Sequence, residues 1–233
     1  MIEFGHGTHV GLRRTRNEDT YYADAGLGLF LVADGMGGHQ HGEVASALVR
    51  DAVADLVTRG HNLAEAVRRA DERLLALARD SQDALPMGTT IAALRVSGEN
   101  YEVAWVGDSR IYLWQNALKQ ISQDHSLVQE LVAAGTLDPA QAQRHPQRNV
   151  ITQALGITAA ERLQIGVSRG RLQPGMRFLL CSDGLTDEVD DAAIGRIVAR
   201  SDLAAQECVD HLLLAALDAG GGDNITCVLV RSD

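Results

Sequence analysis

Four aspartates stand beside a glycine at the ends of hydrophobic runs, and this placement restricts the chain more than its composition does. Asp34 and Asp183 close LGLFLVADG (27–35) and RFLLCSDG (177–184), each followed by glycine. Asp108 and Asp223 each follow a glycine, at the end of YEVAWVGD (101–108) and just before NITCVLV (224–230). Short apolar runs that stop at such pairs read as buried strands. A carboxylate at a strand end is held by a rigid element yet can face a cleft. The glycine lets the backbone come close and can offer its own carbonyl. Asp19, beside Glu18 in the loop NEDT, adds a fifth position. Asp-Gly is also a common hairpin-turn dipeptide. Two readings therefore stand together: a set of plain turns, or a site for hard cations such as Mg²⁺ or Mn²⁺, which take oxygen ligands.

The surrounding pattern favours an α+β chain. From Glu43 to Arg59, Val44, Leu48, Ala52, Val53 and Leu56 recur at helical spacing, and Gly60 can end the helix. Asn62 with Glu65 resembles a capping box opening a second helix through about Ala78. TTIAALRV (89–96), YEVAWVGD and RIYLW (110–114) are strand-like runs with short gaps, which predicts an antiparallel meander. The segment 124–150 changes character: Ser126 and Gln129 can cap a short helix, Gly135 ends it, and Pro139 and Pro146 break the stretch beyond. Two helical stretches, about 188–199 and 203–219, precede the last strand. Antiparallel strands with an early and a late helix pair predict stacked sheets with helices outside, in a single domain spanning 1–233.

Composition narrows the function. Hydrophobic residues make up 45% of 233 and charged residues 22%, enough for a core and against disorder. The formal charge of −10 argues against a nucleic-acid partner. Lys119 is the only lysine among 21 Lys and Arg residues, and no GxxxxGK[ST] occurs, which rules out a P-loop and makes the lysine-dependent kinase arrangement implausible. Cys181, Cys208 and Cys227 lack paired spacing and read as buried free thiols of a reducing compartment. No signal peptide or membrane-length apolar run is visible, so a soluble, cytoplasmic protein is expected.

Two divalent ions about 4 Å apart can share a water, lower its pKa and hold it in line with a phosphorus atom. Arg14, with Arg13 and Arg16 beside it just before NEDT, offers the guanidinium fork a phosphate needs. The motifs GLRRTRNED, VADGMGGHQHGEVAS, MGTT, VGDSR, DHSLVQELVAAG, HPQRNVITQALG, LLCSDGLTD and GGGDNIT resemble, in order, those of the PPM family. These are the type 2C metal-dependent serine/threonine phosphatases, here in compact bacterial form, and the likeness spans about Gly11 to Val230.

The resemblance implies a four-layer αββα sandwich with a metal centre in the cleft between two antiparallel sheets. It implies that Asp34 bridges two core ions and that the Gly35 carbonyl binds one. Asp183 and Asp223 complete the other, while Glu18 and Asp19 act mainly through water. Arg14 grips the phosphate, Asp108 with Asp183 holds a weaker third ion, and 124–150 forms a flap beside the cleft. The expected reaction is direct in-line hydrolysis of phosphoserine and phosphothreonine in proteins, reversing a bacterial eukaryotic-like Ser/Thr kinase. One departure touches mechanism: animal members often carry a histidine directly after the Asp-Gly pair, and here Met36 stands there. His39, nearby in the sequence, could protonate the leaving group, a structural or substrate-contacting role stands equally beside that one, and the leaving-group acid is left unassigned.

Rival readings are weaker. His39 and His41 have no CxxC or HExxH company for zinc. Ser109 and Ser182 lack GxSxG, and Cys181 lacks an arginine-rich phosphate loop. A catalytically silent binding module would not need every acid, and a calcium-binding structural domain would show a full carboxylate cage.

Overall fold

The structure, a computed structural model, describes residues 1–37, 41–80, 87–142 and 145–232. In chain order the strands are β1 (Ile2–His9), β2 (Asp19–Asp24), β3 (Leu29–Met36), β4 (Gly88–Thr89), β5 (Ile91–Ser97), β6 (Asn100–Val106), β7 (Arg110–Gln115), β8 (Ala117–Gln120), β9 (Gly166–Arg171), β10 (Arg177–Cys181) and β11 (Ile225–Ser232). The helices are α1 (His41–Thr58), α2 (Leu63–Asp80), α3 (Leu127–Ala133), α4 (Pro139–Ala142), α5 (Asp183–Thr186), α6 (Asp191–Val198) and α7 (Ala205–Ala219). One sheet runs β1-β11-β10-β7-β8 and the other β2-β3-β5-β6-β9, with β4 on β3. All these pairings are antiparallel.

Side-chain alternation builds three cores from two sheets, because successive residues of a strand face opposite sides. On the second sheet Leu29, Leu31, Ile91 and Ala93 meet Val49, Val53, Leu56 and Leu74 of α1 and α2. Their neighbours Phe30, Val32, Ala92 and Leu94 face inward against Ile111, Phe178, Leu180 and Val228 of the first sheet. There Leu179 and Cys181 turn outward to Ile194, Val198, Val209 and Leu212 of α6 and α7. The result is the four-layer αββα sandwich. The three cysteines are buried and free, and no helix among the described residues is long and apolar enough to cross a membrane.

Most expected elements recur. Asn62 caps α2, its Oδ1 accepting from the Glu65 N–H at 2.9 Å, while the Glu65 carboxylate accepts from Arg69 Nε at 2.6 Å. Ser126 caps α3 through the Gln129 N–H.

Three expectations need correction. The meander is one hairpin only: β5 pairs with β6, but β7 belongs to the opposite sheet, between β10 and β8. The chain changes sheets at Gly107–Asp108, where Gly107 adopts φ 98°, a left-handed conformation that favours glycine. A Cβ there would also sit 2.6 Å from Thr90 Cγ2. The strand begun at Arg177 stops at Cys181, and Asp183 opens the short α5. Pro139 starts α4 rather than breaking the chain, since a first helical residue needs no N–H partner.

Candidate metal centre and active site

A cleft of about 1010 Å³ is lined by Arg14, Arg16, Glu18, Asp34, Gly35, His41, Asn149, Ile151, Asp183 and Asp223. Its acids come from four distant stretches of chain, each fixed by a separate local device.

Asp34 sits near the end of β3, and the threonine pair of MGTT pins its backbone. The Asp34 N–H donates to Thr90 Oγ1 at 3.1 Å, while the Thr89 hydroxyl donates to the Asp34 carbonyl at 2.8 Å. The Thr90 and Ser109 hydroxyls are 2.7 Å apart, which ties this support to the turn carrying Asp108. Gly35 is crowded: a Cβ would lie 2.1 Å from the Gly42 carbonyl oxygen, so only glycine lets α1 approach. Gly42 in turn lies against the Glu18 carboxylate, where a Cβ would be 2.7 Å from Oε2.

Asn224 clamps the loop that carries Arg14 and Glu18. Its Oδ1 accepts from the Glu18 N–H at 2.8 Å, and its Nδ2 donates to the Val10 and Arg16 carbonyls at 2.9 and 2.8 Å. A buried amide with these partners fixes a loop that has little regular structure of its own. Asn224→Ala is expected to cost about 2–4 kcal/mol for three lost hydrogen bonds and to lower turnover as well. Thermal melting with kinetics checks this, and an unchanged melting temperature would contradict it.

Asp19 faces Asp34 across β2 and β3. It does not line the cleft. It is buried behind it, where Oδ2 accepts from the Ser182 hydroxyl at 2.7 Å. Ser182 Oγ also accepts from the Thr226 N–H at 3.0 Å. Asp19 thus holds the residue before Asp183.

Asp108 and Asp183 border an adjoining trough of about 440 Å³ beneath the flap, together with Asp124, Asp187, Asp190 and Asp191. The flap reaches both spaces. Asn149 of the flap lines the cleft, as does Ile151 just beyond it, and Asn149 Nδ2 donates to Asp187 Oδ2 at 2.7 Å. His125 anchors its base: the His125 N–H donates to the Gly107 carbonyl at 2.9 Å, and Nδ1 accepts from the Gly107 N–H at 3.2 Å.

The electrostatics call for cations. Removal from water, then Asp19 and Asp183, pushes the Asp34 carboxyl well above its usual range. Removal from water, then Asp108 and Asp187, does the same to Asp183. Burial raises Asp19 to about 6, with Ser182 opposing. Burial and then Asp124 raise Asp108 to about 7. Buried Oδ1 atoms of Asp19, Asp108 and Asp183 have no hydrogen-bond partner among the described residues. Unpaired lone pairs beside other carboxylates are costly unless positive charge is supplied.

The donor set fits Mg²⁺ or Mn²⁺, which keep several waters and need only one or two carboxylates each. Among the described residues no three acid, imidazole or thiol side chains close around a single point. In the same cleft Arg14 Nη2 holds Asp223 Oδ2 at 2.6 Å.

Of the residues singled out in the sequence, Arg14, Glu18, Asp34, Gly35, Asp183 and Asp223 thus line one cleft, Asp19 stands behind it and Asp108 beside it. His39 lies outside the described residues. Sequence reasoning missed the clamp of Asn224, the pinning of Asp34 by Thr89 and Thr90, and the link from Asp19 to Ser182. Asn224 and Ser182 were signalled only by standing next to Asp223 and Asp183, and Thr89 and Thr90 only by the MGTT motif.

An αββα sandwich that gathers acids in the mouth between its sheets is the architecture of the PPM-type phosphatases. The chain belongs to the protein phosphatase 2C family, whose sequence model matches residues 7–217. It is 39% identical over 236 residues to the serine/threonine protein phosphatase PstP of Mycobacterium tuberculosis, across 98% of this chain and 45% of that protein. It therefore spans about half the length of that relative. Protein phosphatase PhpP of Streptococcus pneumoniae is 37% identical over 239 residues, covering 96% of this chain and 94% of that protein. The crystal structure of the PstP catalytic domain in complex with two manganese ions superposes with a TM-score of 0.88 at 34% identity, over 100% of this chain and 99% of that one.

Proposed function

We propose that the chain is a metal-dependent protein phosphatase that hydrolyses phosphoserine and phosphothreonine by direct in-line attack of water. The observation that carries this reading is the crowding of Glu18, Asp34, Asp183 and Asp223 around one cleft that also holds an arginine, with buried oxygens of Asp183 and of the adjoining Asp19 and Asp108 lacking a hydrogen-bond partner among the described residues. Asp34, the Gly35 carbonyl, Asp183 and Asp223 would hold two Mn²⁺ or Mg²⁺ ions, with Glu18 reached through water. Asp108 and Asp183 would hold a weaker third. When bound, such ions lower the pKa of water and offset the charge of the phosphate.

The chain's own residues do the rest. Arg14 turns its fork from Asp223 to two phosphate oxygens, a bidentate contact that orients the phosphorus. Asp19 and Ser182 keep Asp183 in place, and the threonines of MGTT keep Asp34 in place. Asn149 of the flap and Ile151 just beyond it border the substrate and limit water. Phosphorylated proteins, among them the products of a Ser/Thr kinase, are the partners. A cytoplasmic setting suits the buried free thiols.

The test is release of phosphate from a phosphothreonine peptide with Mn²⁺ and with EDTA. Turnover only with metal is expected. A folded protein that stays inert under excess Mn²⁺ would end this reading.

A further inference from the structure

We propose that Arg16 selects substrates carrying an anionic group, a carboxylate or a second phosphate, close to the phosphorylated residue. The proposal rests on the phosphatase reading above and adds a substrate preference to it.

The cleft wall is acidic. Glu18, Asp34, Asp183 and Asp223 all face it, and the chain as a whole carries a formal charge of −10. A peptide with acidic residues beside its phosphate would be repelled from such a surface unless fixed positive charge met it. Among the described residues lining the cleft, the guanidinium groups are those of Arg14 and Arg16. Arg14 is committed to Asp223 at 2.6 Å or to the phosphate that replaces it. Arg16, which also has an interaction of its own within the protein, is the second cation in the same cavity.

Its backbone is not loose. The Arg16 carbonyl accepts from Asn224 Nδ2 at 2.8 Å, and that side chain also fixes Val10 and Glu18. The residue is exposed, so a rigid backbone presents a long, solvated side chain at the rim. That arrangement can read a flanking anion without entering the reacting centre. Arg16 also exerts its charge on Glu18. A role confined to steadying Glu18 is thus the competing account, and it would affect every substrate alike.

The experiment compares phosphothreonine peptides identical except for neighbours: glutamates, glutamines, lysines, or one phosphoserine. Rates with Mn²⁺ are expressed relative to each protein's own rate on a small aryl phosphate, which has no flank. The unaltered chain is expected to prefer the glutamate peptide over the glutamine peptide by about two- to fivefold, the range of a partly exposed ion pair. The preference should shrink as salt rises. Arg16→Gln should abolish the ratio, and Arg16→Lys should keep part of it. A ratio that appears only with the phosphoserine peptide identifies a second phosphate as the anion.

Equal losses on all peptides, or a ratio unmoved by Arg16→Gln, would overturn the proposal. Binding of the same peptides as non-hydrolysable phosphonates, followed by fluorescence anisotropy, reads the preference without turnover. Failure of catalysis and failure of the Arg16 role are thereby told apart.

Discussion

Asp183→Asn is expected to abolish metal-supported phosphate release, by roughly a thousandfold or more, while raising the melting temperature of the metal-free protein. The two effects have one cause. Asp183 is recessed in protein, its Oδ1 has no partner among the described residues, and Asp108, Asp187, Asp19 and Asp223 all act on it with like charge. Without cations that carboxylate destabilises the fold, and an amide of the same shape removes the charge. With cations the same oxygen is a ligand, and the amide is a poorer donor for a hard ion. The gain without metal should be on the order of 1–3 kcal/mol, the usual cost of an unsatisfied buried polar group. In a chain of this size that is several degrees. The rise in melting temperature that Mn²⁺ produces should shrink in the variant at the same time. Melting curves in EDTA and in Mn²⁺, paired with peptide turnover, measure all of this. A variant that retains half its activity, or that melts lower than its parent in EDTA, would remove Asp183 from the role assigned to it.

The reach of the sequence is set by the same residues. Asp34 and Asp223 could be read because a strand pattern and a neighbouring glycine mark them locally. The αββα layering could be read because each strand alternates between two apolar faces, as Leu29 to Val32 do. The change of sheet at Gly107 could not, because a short gap between strands looks the same whether the second strand pairs with the first or crosses over. Nor could β1 and β2, whose residues are mostly only partly buried and so lack a strong apolar run. Asn224 reaches partners 206 to 214 positions away in the chain. Such a clamp exists only once the sheet has brought the ends together, and local spacing carries no trace of it. Asp19 shows the limit from the other side: the motif marks it as important, but only the register opposite Asp34 and the bond to Ser182 place it behind the cleft.

In EDTA the protein should lose stability as pH rises from about 4 to about 7, and Mn²⁺ should restore progressively more of it over the same interval. Asp19 titrates near 6 and Asp108 near 7 in the folded chain, and Asp34 and Asp183 are held well above their usual range. Against an unfolded carboxylate near 4, the folded state therefore keeps protons that the unfolded state has released. Where the folded state binds more protons, stability falls with rising pH. The stabilisation is complete below the unfolded pKa and is lost as pH passes through 6 and 7.

His125 works in the opposite sense, since burial lowers its pKa and its neutral form is favoured in the fold. It is one group against six, since burial also raises the carboxyls of Glu18 and Asp71. Asp24, Glu65 and Asp202, whose pKa values are lowered, act at or below the lower edge of the window. Cations bind the deprotonated acids, so their affinity must rise as those protons leave. The difference between melting temperatures in Mn²⁺ and in EDTA should accordingly widen from pH 5 to pH 8. In Asp183→Asn the slope in EDTA should be shallower, because one raised carboxyl is gone. Melting temperatures in EDTA that climb steadily between pH 5 and pH 7.5 would mean that the cluster is neither crowded nor buried, and the case for ions in this cleft would go with it.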